Sequence, residues 1–179
     1  MARFVYIIVR DVEKKIRLRN TFTKPGETDT SVFIVEDDTS MDQVVQEIVD
    51  RSGPSGMKIL RICAHGLPGM VRIGRDCLFD ITVDKFKKLK GRFVARGQIE
   101  LHSCQAGSTN TSTANGGSAG WITKLATNAG VPVLAAEKIQ QADPDWQWEG
   151  PVYTFYPLDG YQQDPADYGR LTREDRYYQ

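Results

Sequence analysis

The chain has no excess of either charge: 23 lysines and arginines stand against 23 aspartates and glutamates. A surface built to hold nucleic acid or an anionic membrane needs a basic surplus, so neither partner is expected. Cysteine is scarce as well. Three thiols, an odd number without paired spacing, do not make a disulfide framework, and they read as reduced cysteines of a cytoplasmic protein. Nor is there a long hydrophobic stretch near the start. The apolar run at residues 4–9 is too short for a signal h-region or a membrane span, so no Sec-type export signal is expected and the run reads as a strand.

What remains is an ordinary globular composition, 40% hydrophobic and 26% charged. A single domain over residues 1–179 is expected, long enough to bury roughly 70% of the surface of its unfolded chain. The segment after Asp159, acidic and aromatic, stays ambiguous as a C-terminal tail.

Strand-like and helix-like segments alternate, the pattern of a mainly parallel sheet covered by helices in an α/β fold. Residues 3–9, 57–64, 98–103 and 131–136 read as buried strands, with 31–35 a short or edge strand and 152–156 a last one. Met41, Val44, Val45, Ile48 and Val49 give one apolar helical face, capped by Ser40 and stopped at Ser52-Gly53-Pro54. Residues 70–73 and 77–81 suggest a small hairpin turning at 74–76. Residues 82–90 suggest an amphipathic helix with Val83, Phe86 and Leu89 inward. A polar loop is expected at 20–29 and another, rich in Ser, Thr, Asn and Gly, at 105–118. A helix containing Trp121, Ile122, Leu125 and Ala126 follows, ending at Gly130.

Two strand ends carry the chemistry: Ile62-Cys63-Ala64-His65-Gly66 and Leu101-His102-Ser103-Cys104-Gln105-Ala106-Gly107. Ligands of an open parallel sheet bind at the carboxyl ends of its strands, which is where His65 and Cys104 fall. A thiolate is a nucleophile, and an imidazole beside it can take its proton and later protonate a leaving amine. Gly66, lacking a side chain, lets its amide come close to a substrate carbonyl, and with the Cys104 amide it would form an oxyanion hole.

A hydrophobic strand ending in His65-Gly66, followed by a second ending in Cys104 and a nearby Gly107, resembles the caspase-like (clan CD) cysteine peptidases. The order of strand, His-Gly-x-Pro-Gly, short hairpin, helix, strand-Cys, helix and strand is similar to bacterial caspase-like and CHAT-type domains over residues 57–136. The resemblance implies a three-layer fold with helices on both faces of the sheet. It also implies a cysteine endopeptidase that works through a His65–Cys104 dyad and an acyl-enzyme, with no cofactor and a protein or peptide substrate. By the same resemblance the loop at 105–118 is a candidate activation loop, and an activating or regulatory partner protein is expected. The position two before the nucleophile, here His102, would line the pocket for the residue preceding the cleaved bond. Glu137 and Asp11, at neighbouring strand ends, are the acids that could reach it.

Other readings stand beside this one. Cys63 and Cys77 read as small buried hydrophobes. The pairs Cys63-x-His65 and His102-x-Cys104 could instead assemble a Cys2His2 zinc site on one sheet face. A caspase-like domain without activity, serving as a binding scaffold, is the other alternative. Trp121 is expected in the core, while Trp146 and Trp148, near Asp143, Asp145 and Glu149, could line a cleft or pack on the sheet edge.

Overall fold

The computed structural model describes residues 3–17, 24, 26–108, 118–140, 148 and 150–158. β1 (Arg3–Val9) runs straight into α1 (Arg10–Arg17), then come β2 (Thr30–Val35), α2 (Met41–Ser52) and β3 (Met57–Cys63). Three short strands follow, β4 (His65–Leu67), β5 (Met70–Ile73) and β6 (Asp76–Leu78), and then a 3-10 helix, Thr82–Leu89. β7 (Phe93–His102), α3 (Ser118–Ala129), β8 (Val133–Ala136) and β9 (Val152–Phe155) complete the order.

The main sheet is ordered β2-β1-β3-β7-β8-β9, with the first five strands parallel and β9 antiparallel at the edge. β4, β5 and β6 form a separate antiparallel sheet. This is the mainly parallel α/β arrangement that the alternation of segments predicts. Strands 3–9 and 57–63 are near-continuous apolar runs because both of their faces are covered. Among the described residues no helix is long and apolar enough to cross a membrane.

One face of the sheet carries α2, the 3-10 helix and α3, whose Val44, Ile48, Phe86, Leu89, Ile122 and Leu125 are fully buried against it. Each such side chain contributes about 1.5–3 kcal/mol by leaving water. α2 starts with the expected cap: Ser40 Oγ accepts from the Gln43 amide at 3.3 Å, and the Gln43 side chain accepts from the Ser40 amide at 2.8 Å. Val83, Phe86 and Leu89 recur every third residue, the repeat of a 3-10 helix, and that is the form this segment takes rather than an α-helix.

The second face is narrower in its cover. α1 sends Val12 against a cluster of Tyr6, Ile8 and Cys63, and Trp148 packs with Leu134, Ala136 and Val152. Between them lies a buried polar group. Arg61 Nε is 2.7 Å from Glu100, and its Nη1 is 2.7 Å from Glu27 and also reaches the Tyr6 hydroxyl. Arg61 and Glu100 are register partners on β3 and β7, so their side chains emerge side by side.

Several elements differ from the sequence expectation. α1 is a helix where no element is expected. The hairpin turns at Gly74-Arg75, ends at Leu78 instead of Ile81, and gains β4 as a third strand. β7 begins at Phe93, five residues earlier than expected, across a left-handed Arg96 (φ 61) and Gly97. The expected loop at 20–29 is described only at 24 and 26–29, and of 105–118 the stretch 109–117 lies outside the described residues, as does the tail.

Candidate active site

β3 and β7 are adjacent and parallel, with Cys63 opposite His102, so the two chemistry-bearing segments leave the sheet side by side. After Cys63 the chain crosses Ala64 and enters β4, which pairs His65 with Arg72 and Leu67 with Met70. Side chains alternate across a strand. One face of the small sheet therefore carries Gly66, Val71, Ile73 and Leu78, the last three fully buried. The other carries His65, Leu67, Met70 and Arg72, with His65, Leu67 and Arg72 exposed.

Gly66 faces inward, directly onto the segment that carries Cys104. A Cβ built there would lie 2.3 Å from the Cys104 carbonyl oxygen, 2.9 Å from the Cys104 amide nitrogen and 3.0 Å from Ser103 Cβ. The backbones of Gly66 and Cys104 are thus packed together as only a glycine allows. The two residues that the resemblance pairs as amide donors are therefore backbone neighbours.

Cys104 opens a tight turn at the end of β7. The next residue, Gln105, holds φ 53, a left-handed conformation unusual for a residue with a side chain. The turn is pinned to the end of β8: the Gln105 amide donates to the Lys138 carbonyl at 2.9 Å and the Gly107 amide to the Ala136 carbonyl at 2.8 Å. Strain held by surrounding bonds is a frequent property of functional turns. The Cys104 thiol is half-buried and donates to the Gln140 carbonyl at 3.5 Å. The His65 imidazole, on the outer face of β4, makes no hydrogen bond among the described residues. The Ser103 hydroxyl is buried there without a hydrogen-bond partner.

The three pocket candidates separate. His102 turns to the second face of the sheet, where its ring stacks on Trp148 at 4.0 Å between centroids and Nε2 lies 3.2 Å from Glu100 Oε2. Burial pushes the His102 pKa down, although the Glu100 carboxylate pulls the other way. Burial alone would raise Glu100, but Arg61 and the His102 N–H hold its carboxyl well below the usual range. An ionised acceptor beside a neutral imidazole fixes the Nε2–H tautomer. Glu137 follows β8 in the segment that pins the Cys104 turn, and it accepts from the Tyr153 hydroxyl at 3.2 Å. Asp11 does not join the group. It sits in the first turn of α1, exposed, 3.7 Å from Lys14, at the end of a strand separated from β7 by β3.

The zinc arrangement is not assembled. Cys63 is buried on the second face, where burial drives its thiol pKa strongly upward, whereas His65 stands on the exposed face of the small sheet. The strand breaks at Ala64, so a Cys-x-His pair does not keep one face. Among the described residues no three His, Cys, Asp or Glu side chains are grouped to hold a metal. Trp148 packs on the sheet, and Trp146, Asp143, Asp145 and Glu149 lie outside the described residues.

The Arg61–Glu27–Glu100 group was not singled out from sequence. Its signal is an arginine inside an apolar strand with a glutamate at the matching position of the next strand. No family model, curated protein or solved structure matches this chain.

Proposed function

We propose that the protein is a caspase-like cysteine endopeptidase with Cys104 as nucleophile and His65 as general base and acid. The observation that carries this reading is the packing of Gly66 onto the Cys104 backbone at the ends of two adjacent parallel strands. It sets the backbone of the histidine-bearing strand against the thiol-bearing turn, with the imidazole on the exposed outer face of β4.

In the reaction, Cys104 gives its proton to His65 and Sγ attacks the carbonyl carbon of a peptide bond. The oxyanion forms against the Gly66 and Cys104 amides. His65 returns the proton to the leaving amine as the C–N bond breaks, leaving a thioester on Cys104. Water, deprotonated by His65, then attacks the thioester carbonyl, releasing the acid and restoring the thiol. The thiol must first turn from the Gln140 carbonyl, since a thiolate would be repelled by that oxygen. Catalytic contacts are often loose before substrate binds.

A scaffold without catalysis is favoured by one observation, that same thiol-to-carbonyl bond in place of a thiol–imidazole pair. Peptide-library cleavage by the parent chain, Cys104→Ala and His65→Ala decides between the two. The expected outcome is cleavage by the parent alone, with unchanged far-UV spectra and the double variant no worse than either single. Folded protein without cleavage of any peptide would favour the scaffold.

A further inference from the structure

Among the described residues four large apolar side chains are strongly exposed: Leu67, Ile81, Ile139 and Leu158. Two of the four flank the candidate dyad. Leu67, 61% exposed, stands two residues from His65 on the same face of β4, with Met70 paired opposite it. Ile139, 63% exposed, lies between Lys138, whose carbonyl holds the Gln105 amide, and Gln140, whose carbonyl receives the Cys104 thiol. Leu67 thus lies on the paired strand β4, and Ile139 between two residues bonded to the Cys104 turn.

We infer that these two side chains form an apolar rim that selects unfolded polypeptide with hydrophobic residues on both sides of the cleaved bond. The inference rests on the dyad reading, which supplies the direction. The group that protonates the leaving amine stands on the amine side of the bond, so Leu67 and Met70, sharing a face with His65, meet the residue after the bond. Ile139, held beside the thiol, meets the acyl side. Arg72, paired with His65 on the same face as Leu67, and Lys138, next to Ile139, are exposed cations, which disfavours lysine or arginine in the same places. Covering a side chain now more than half in water strengthens binding by about tenfold.

The test separates binding from cleavage. Fluorescent octapeptides with Leu-Leu, Ser-Ser or Arg-Arg around the central bond are titrated against the full chain carrying Cys104→Ala. Further samples add Leu67→Thr or Ile139→Thr, which shorten the side chain, remove apolar surface and add a hydroxyl. The Leu-Leu peptide should bind at least tenfold tighter than the other two, and each Thr variant should lose about tenfold of that preference. Equal binding of all three peptides, no binding, or Thr variants that bind Leu-Leu as the parent does would overturn the rim. If Leu-Leu binds selectively but the chain with Cys104 intact does not cleave it, the rim stands and the peptidase reading falls. Cleavage without any apolar preference gives the reverse result.

Discussion

Gly66→Ala is the most informative single change, because the structure shows what the added methyl would meet. Two of its three nearest neighbours, at 2.3 and 2.9 Å, are main-chain atoms of Cys104, and the third is Ser103 Cβ at 3.0 Å. None is the end of a flexible side chain that could swing aside. Relief needs β4 or the Cys104 turn to move by about 1 Å, and overpacking of that kind costs about 1–3 kcal/mol. The turn resists, since Gln105 and Gly107 are bonded to Lys138 and Ala136. Displacement by about 1 Å at reacting groups lowers rates by about a hundredfold. The expected result is therefore a folded protein, less stable by about 1–3 kcal/mol in urea titration, with peptide cleavage reduced at least a hundredfold. Gly120→Ala is the control. It lies in α3 with nothing within 4 Å of the new Cβ, and it should be neutral or stabilising by up to about 1 kcal/mol with activity intact. A Gly66→Ala chain as stable and as active as the parent would refute the close approach.

Cys104 should alkylate fastest of the three thiols in limited iodoacetamide labelling, and Cys63, 2% exposed with its pKa driven up by burial, slowest; first labelling at Cys63 would contradict the described packing. Arg61→Met should cost about 3–5 kcal/mol at pH 7, because it strands Glu27 and Glu100 without their cation. The gap to the parent chain should narrow at pH 5, as stranded carboxylates gain by taking up protons; a loss under 1 kcal/mol would count against the network. Stability should also fall as pH drops from about 7 toward 5. Unfolded His102 takes up a proton around pH 6.5, while the buried ring, its pKa lowered by burial, takes one up less readily, so the unfolded state holds more protons. The slope can reach at most about 1.4 kcal/mol per pH unit. His102→Gln should remove it, and an unchanged slope in that variant would assign the effect elsewhere.

Much of this was legible from residue pattern. Residues 4–9 and 57–63 declare themselves as strands because both faces are buried, and α2 because its apolar spacing, cap and stop signal agree. α1 was not legible: in Arg10–Arg17 the charged residues outnumber Val12 and Ile16, and the helix is specified by its position after β1 more than by its own pattern. The early start of β7 is hidden because Arg96 and Gly97 interrupt the apolar pattern ahead of residue 98. At the site, the neighbouring strand ends were readable, and so was the value of a glycine after His65. That the glycine would face Cys104 itself depends on β4 pairing with β5, a tertiary fact. His102 was expected to line a pocket, yet its ring is turned onto Trp148, a contact between residues 46 positions apart that no local signal encodes.

The pinning of the Cys104 turn to the end of β8 has a consequence in time. A chain made from its amino end presents His65 first and Cys104 later, but the turn cannot set until Ala136 and Lys138 have been made and β8 has docked. Pairings between distant segments form late, because the loop between them must first be closed. The thiol therefore gains its final surroundings only when the middle of the sheet is complete. An unfinished or misfolded copy carries the same residues without the packing of Gly66 onto the Cys104 turn, so that packing reports a finished fold.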